Sequence, residues 1–114
     1  MKDNIYQHYL IDFTNCQCDN SCLEDIGLTK IYFNSVIEDD LEIKSFYSSF
    51  FPFSKGYVGI FLFKETTLLL KTFSEYKKVH CDITTIKDTY KDNLYLLTKE
   101  FYVPRDSKQT YLER

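Results

Sequence analysis

The stretch GIFLFKETTLLLKTFSEYKKVHCDITT, residues 59–85, decides the fold. It spans most of two apolar runs, YVGIFLFK (57–64) and TTLLLKTF (66–73), which meet at Lys64 and Glu65. So short a connection joins antiparallel neighbours, because parallel strands need a crossover of a dozen residues or more. A third run, KVHCDITT (78–85), follows the polar segment 74–77 and reads as the next strand.

Outward from this core the pattern is less regular. Upstream, YQHYLIDF (6–13) and LEIKSFYSSFF (41–51) read as strands, and PFSKG (52–56) as a loop holding Pro52 and Gly56. Between the first two strands, CLEDIGLTKIYFNSVIE (22–38) has roughly helical spacing of Leu23, Ile26, Ile31 and Val36. Ser21 and Glu24 fit a capping box at its start. Downstream, IKDTYKDNLYLLTKEFYV (86–103) sets Leu94, Leu97 and Phe101 on one helical stripe, with Pro104 just past its end. KQTYLER (108–114) reads as a short edge strand.

The order strand, helix, four strands, helix, strand predicts one domain over residues 1–114. Its class is α+β: a two-layer sandwich of one antiparallel sheet with two helices on one face. Leu62, Leu68, Leu70 and Phe73 cannot then all face the helices. A second copy of the chain is the expected cover for the other face, which predicts a homo-oligomer.

Composition excludes several roles. Fourteen basic residues face seventeen acidic ones with no basic run, so a phosphate-neutralising nucleic-acid surface is not expected. No apolar run reaches the length of a membrane span. The opening MKDNIYQHYLIDF lacks the basic end, apolar run and cleavage site of a secretion signal, so a cytoplasmic protein is expected. Aromatic residues make up 18% of the chain, as ten Tyr and ten Phe. Codon bias in a low-GC genome accounts for such an excess as well as pocket walls do. CQCDNSC (16–22) and Cys81 supply four cysteines, but C-x-C-x3-C is not the paired spacing of common zinc sites. No metal is expected, and in a reducing compartment the four should be thiols.

HYLIDFTNC (8–16), FFPFSKGYVG (50–59), KETTLLLKTFSEY (64–76) and CDITT (81–85) resemble the bacterial S-adenosylmethionine decarboxylase proenzymes along about three quarters of the chain. The family pattern runs Glu-Ser-His, an apolar strand, His-Thr-Trp-Pro-Glu-Tyr, then an Asp followed by a Cys. Glu65, Thr72, Glu75, Tyr76 and Asp82 stand at matching places, with Phe73 for Trp. The reactive residues have changed. The family cuts its own chain at the Ser and converts it to a pyruvoyl group; here that place holds Thr66. Its processing His falls at Lys71 and its catalytic Cys, on a gapless reading, at Ile86. Without the reactive ketone there is no electron sink for decarboxylation.

The resemblance implies a pocket for S-adenosylmethionine or a nucleotide conjugate of it. Phe73 and a Phe among 50 to 53, with Phe51 and Phe53 as candidates, would flank the adenine, and Glu75 would hold the ribose hydroxyls. Tyr57, Tyr76 and Glu65 are candidates for the amino acid tail, and Glu65, Thr66, Lys71 and Tyr76 for the chemistry. Taken singly, each is more ordinary: phenylalanines are usually core, Glu75 a solvated carboxylate, Glu65 a turn residue. A dry aromatic pocket favours the sulfonium and can fold the tail so that its carboxylate displaces methylthioadenosine. No cofactor is needed. The expected activity is therefore a lyase yielding methylthioadenosine and homoserine lactone. Lys71, Lys77 and Lys78 admit a phosphate, as in the adenylated S-adenosylmethionine used as a messenger by some antiviral CRISPR systems. A non-catalytic binding paralogue or sensor is the alternative, and a decarboxylase using Thr66 a further one.

Overall fold

The computed structural model describes residues 6–86 and 88–113. Residues 1–5, Lys87 at the expected start of the second helix, and Arg114 at the expected end of the last strand lie outside the described residues. Six strands, β1 (Gln7–Cys16), β2 (Tyr47–Phe53), β3 (Gly56–Phe63), β4 (Thr66–Phe73), β5 (Lys78–Thr85) and β6 (Pro104–Glu113), form one sheet. Their order is β2-β3-β4-β5-β1-β6, antiparallel throughout. Helices α1 (Asn20–Glu24), α2 (Ile26–Ser35) and α3 (Asp88–Tyr102) complete the α+β sandwich.

The hairpin at the centre forms as its sequence dictates. Phe63 pairs with Thr66, and the two residues between them, Lys64 and Glu65, take φ of 44° and 57°. Positive φ at both central positions matches the twist of the flanking strands. Alternation then sorts the side chains. Thr66, Leu68, Leu70 and Thr72 face the helices and are buried, as are Val79, Cys81, Ile83 and Thr85 on β5. They close a core with Ile11, Phe13, Phe61, Leu23, Phe33, Leu94 and Tyr102. So Leu68 and Leu70, two of the four residues expected to need a second cover, lie under the helices. Leu62 and Phe73 do face the other way.

The first helical segment departs from expectation. Asp25 is extended, with φ −93° and ψ 102°, and divides the predicted helix into α1 and α2. Asp19 caps α1 by accepting from the Ser21 amide at 3.0 Å, and Asp25 caps α2 by accepting from the Leu28 amide at 3.1 Å. The expected capping box is absent, because Glu24 instead accepts a hydrogen bond from the Ser74 hydroxyl. The break turns α2 about its axis. Ile31, expected inward, is 71% exposed, while Phe33 and Ile37 are fully buried. A single π-helical turn, Val36–Asp40, follows, and β2 starts at Tyr47 instead of residue 41. β6 is longer than expected.

The cysteines also differ from expectation. Cys18 in the turn and Cys22 on α1 form a disulfide, their Cα atoms 6.3 Å apart. That separation lies inside the bridging range. Cys16 and Cys81 are thiols in the core. Burial pushes the Cys16 thiol up to about 11, partly offset by the charge of Lys77, and raises that of Cys81 as well.

Candidate ligand site on the open sheet face

The sheet face away from the helices is uncovered. Its rows follow from the strand register. One row runs Phe51, Val58, Lys71, His80, Asp12, Lys108 across β2, β3, β4, β5, β1 and β6. The neighbouring row toward the 74–77 turn carries Phe53, Gly56, Phe73 and Lys78.

The aromatic part of this second row is a formed pair. The Phe53 and Phe73 rings lie 6.2 Å apart, inclined at 57°. Gly56 permits it: a Cβ there would fall 3.0 Å from the Phe53 ring and 2.3 Å from the Thr72 carbonyl oxygen. Lys71 Nζ stands 5.6 Å from the Phe73 centroid, within range for a cation over a ring face. Beyond Phe73 the chain enters a 3-10 turn, Ser74–Tyr76, pinned by the Ser74 amide donating to the Lys55 carbonyl at 3.0 Å. Phe73, Tyr76 and Lys78 line an open depression of about 410 Å³. Tyr76 is 73% exposed and Glu75 is exposed beside it. Five expected residues, Phe53, Lys71, Phe73, Glu75 and Tyr76, therefore gather at one end of β4. Phe51 shares the face, 70% exposed.

Three expected residues are placed elsewhere. Tyr57 sits on the helix face, fully buried. Its hydroxyl donates to the Cys22 carbonyl at 2.9 Å and shares protons with Thr29 and Tyr102, each at 2.7 Å. Burial pushes it up to about 12. The sheet separates it from the Phe53–Phe73 pair, so it contacts no ligand bound there. β3 is apolar on both faces, which hid this parity. Glu65 and Thr66 lie at the opposite end of β4 from Phe73. Seven steps along the strand separate Thr66 from Phe73, about 23 Å at the usual rise. Thr66 is buried; its hydroxyl donates to the Lys64 carbonyl at 3.2 Å and pairs with Thr85 Oγ1 at 2.9 Å. Glu65 is exposed and, with Thr66, Thr67, Thr84, Leu62 and Tyr6, borders a second depression of about 530 Å³.

Sequence reasoning missed the polar centre of the open face. His80 Nδ1 lies 2.8 Å from Asp12 Oδ1, and His8 Nε2 bonds Asp82 Oδ1. Each pair bridges β1 and β5. The period-two stripe His80, Asp82, set against Val79, Cys81 and Ile83, was the signal that could have found them. No cluster of three metal-ligating side chains occurs among the described residues.

One six-stranded antiparallel sheet with helices on a single face defines the class, an α+β sandwich. The S-adenosylmethionine decarboxylase family profile matches residues 7–114, and the chain belongs to that family. The crystal structure of the adenosylmethionine decarboxylase from Aquifex aeolicus VF5 superposes with a TM-score of 0.80. Sequence identity is 15% over 99% of this chain and 92% of that one, a likeness of fold. No curated protein matches the sequence.

Proposed function

We propose that the chain is a cofactor-independent lyase that splits S-adenosylmethionine, or its adenylated conjugate, into methylthioadenosine, free or nucleotide-linked, and homoserine lactone. The observation that carries this is a contrast within β4. At the family's cleavage position Thr66 is buried with its hydroxyl engaged by Lys64 and Thr85, while the aromatic end at Phe73 stays open. The first disfavours self-cleavage; the second supports continued binding of an adenosyl group.

The chemistry needs little from the protein. The substrate carboxylate attacks the carbon attached to the sulfonium, the carbon–sulfur bond breaks, and its electron pair leaves with the neutral thioether. Positive and negative charge cancel in the transition state, so water stabilises it less than the ground state. Holding the tail folded back in a drier site lowers the barrier. Phe53 and Phe73 would hold the adenine or sulfonium, Glu75 and Tyr76 the ribose side, and Lys78 any phosphate. Glu65 and Thr66 enter this site only if another copy brings its hairpin end over the Phe73 end. Tyr47, Phe51 and Leu62, 60%, 70% and 41% exposed on β2 and β3, offer an apolar surface for such a homo-oligomer. Among the described residues no helix is long and apolar enough to cross a membrane.

The site is also open, and two expected tail-holding residues lie away from it. That observation favours the second reading, a binding module without turnover. Incubation with S-adenosylmethionine and chromatography of the products separates the two: lactone with methylthioadenosine supports the lyase, and intact ligand supports the binding module. Intact mass tests the remaining decarboxylase reading. A single chain of 13.6 kDa is expected; two fragments split before Thr66 would revive pyruvoyl-type chemistry.

A further inference from the structure

With Tyr57 behind the sheet and Glu65 at the far hairpin, the aromatic end of one chain has lost two of its three tail contacts. The row beside it supplies replacements. We propose that Lys71, His80 and Asp12 form a receptor for a zwitterionic α-amino acid head, the carboxylate on Lys71 and the ammonium on Asp12. The proposal rests on an adenosyl group occupying Phe53 and Phe73.

The placement follows from register. Lys71 and His80 are direct cross-strand partners, and so are His80 and Asp12. Lys71 and Asp12 are thus two strands apart, about 9.5 Å at backbone level. His80 stands between them in the row, so an amino acid head reaching both would lie across the His80 ring, with a charge-assisted hydrogen bond at each end. Lys71 adjoins the Phe73 ring and meets no carboxylate in a salt bridge among the described residues. Asp12 is only partly exposed, its side chain at 42%, and His80 Nδ1 holds one of its oxygens. A carboxylate accepts several hydrogen bonds, so the other oxygen remains for a ligand. His80 is a positioning residue here: it fixes the Asp12 rotamer.

There is a chemical reason for this pairing. A family member with a carbonyl prosthetic group ties up the substrate amine covalently. A chain without one meets the amine as an ammonium ion, which needs a carboxylate partner. Asp12 meets that need in the row adjoining the aromatic pair. Lys71 on the carboxylate orients the tail and selects substrates that still carry it.

Calorimetry with two unreactive probes tests this. S-adenosylhomocysteine carries the amino acid head on a neutral thioether; 5′-methylthioadenosine is the nucleoside alone. The native chain is expected to bind the former about tenfold more tightly. Asp12→Asn and Lys71→Met should each erase most of that difference and leave methylthioadenosine binding within about twofold. S-adenosylthiopropylamine, which lacks the carboxylate, should respond to Asp12→Asn and ignore Lys71→Met. Thermal melts confirm folding; if one variant unfolds, the other decides. Equal affinity for both probes in the native chain, or variants that weaken both probes alike, would overturn the proposal. Failure of either probe to bind at all would instead overturn the adenosyl-site reading beneath it.

Discussion

The two faces of one sheet solve different problems. The helix face is apolar and sealed, and most of its polar groups are tied into hydrogen bonds, with Thr98 Oγ1 and Asn34 Oδ1 as exceptions. Tyr57, Tyr102, Thr29 and Thr72 share hydroxyl contacts or reach the carbonyls of Cys22 and Leu23. The open face alternates rings with charges, and its polar groups lie where a ligand or second copy can reach them. Strand parity alone decides which fate a residue has. Tyr57 and Val58 are neighbours in sequence, yet one is core and the other looks out. What the difference teaches is that parity decides which residues a ligand can meet: Thr66, at the family's cleavage position, falls on the sealed face, and Phe73 on the open one.

Substitutions should expose this asymmetry. Phe61, fully buried against Phe33 and Phe50, should cost about 3–5 kcal/mol as Phe61→Ala in urea unfolding. Phe51→Ala on the open face should cost under about 1 kcal/mol of subunit stability and instead weaken self-association, read by sedimentation. Equal costs at the two would erase the distinction between the faces.

Tyr57→Phe sharpens it from the sealed side. Losing the hydroxyl leaves the Cys22 carbonyl and Tyr102 short of a partner, at about 1–3 kcal/mol. Affinity for an adenosyl ligand should not move; a clear change in Kd would put Tyr57 back in the site. Phe73→Ala should do the reverse. Loss of a stacked ring lowers nucleoside affinity by about 1 kcal/mol or more, or at least fivefold, with a small change in melting temperature.

A separate effect appears in alkali. Tyr57 ionises near 12 in the folded chain against 10.0 for an ordinary tyrosine, and Tyr102 is raised too. Between those values the unfolded chain has lost protons that the folded chain retains. The tyrosine contribution to stability is therefore full below pH 10 and falls as pH rises toward 12, after the raised Cys16 and Cys81 thiols have begun the decline from about pH 9. Tyr57→Phe should flatten that decline; an unchanged slope would mean the buried hydroxyls do not set it.

Much of the frame was legible because β3 and β4 are apolar runs joined by a two-residue link, which forces a hairpin, and because β5 alternates cleanly. The α1–α2 break was not, since Ser21 and Glu24 match a capping box as well as Asp19 and Asp25 act as caps. Once Asp25 interrupts the helix, periodicity carried through from Leu23 points Ile31 the wrong way. Phe53 and Phe73 come together because both fall on the open face, in one row of the register. The Asp12–His80 contact needs the register between β1 and β5, which are far apart in sequence.

Incubating purified chain with S-adenosylmethionine and following the products over time tests the central claim most directly. The account predicts homoserine lactone and methylthioadenosine in equal amounts, formed without added cofactor and abolished by Phe73→Ala with Lys71→Met. Carbon dioxide with an aminopropyl product, or unaltered S-adenosylmethionine after long incubation, would contradict it.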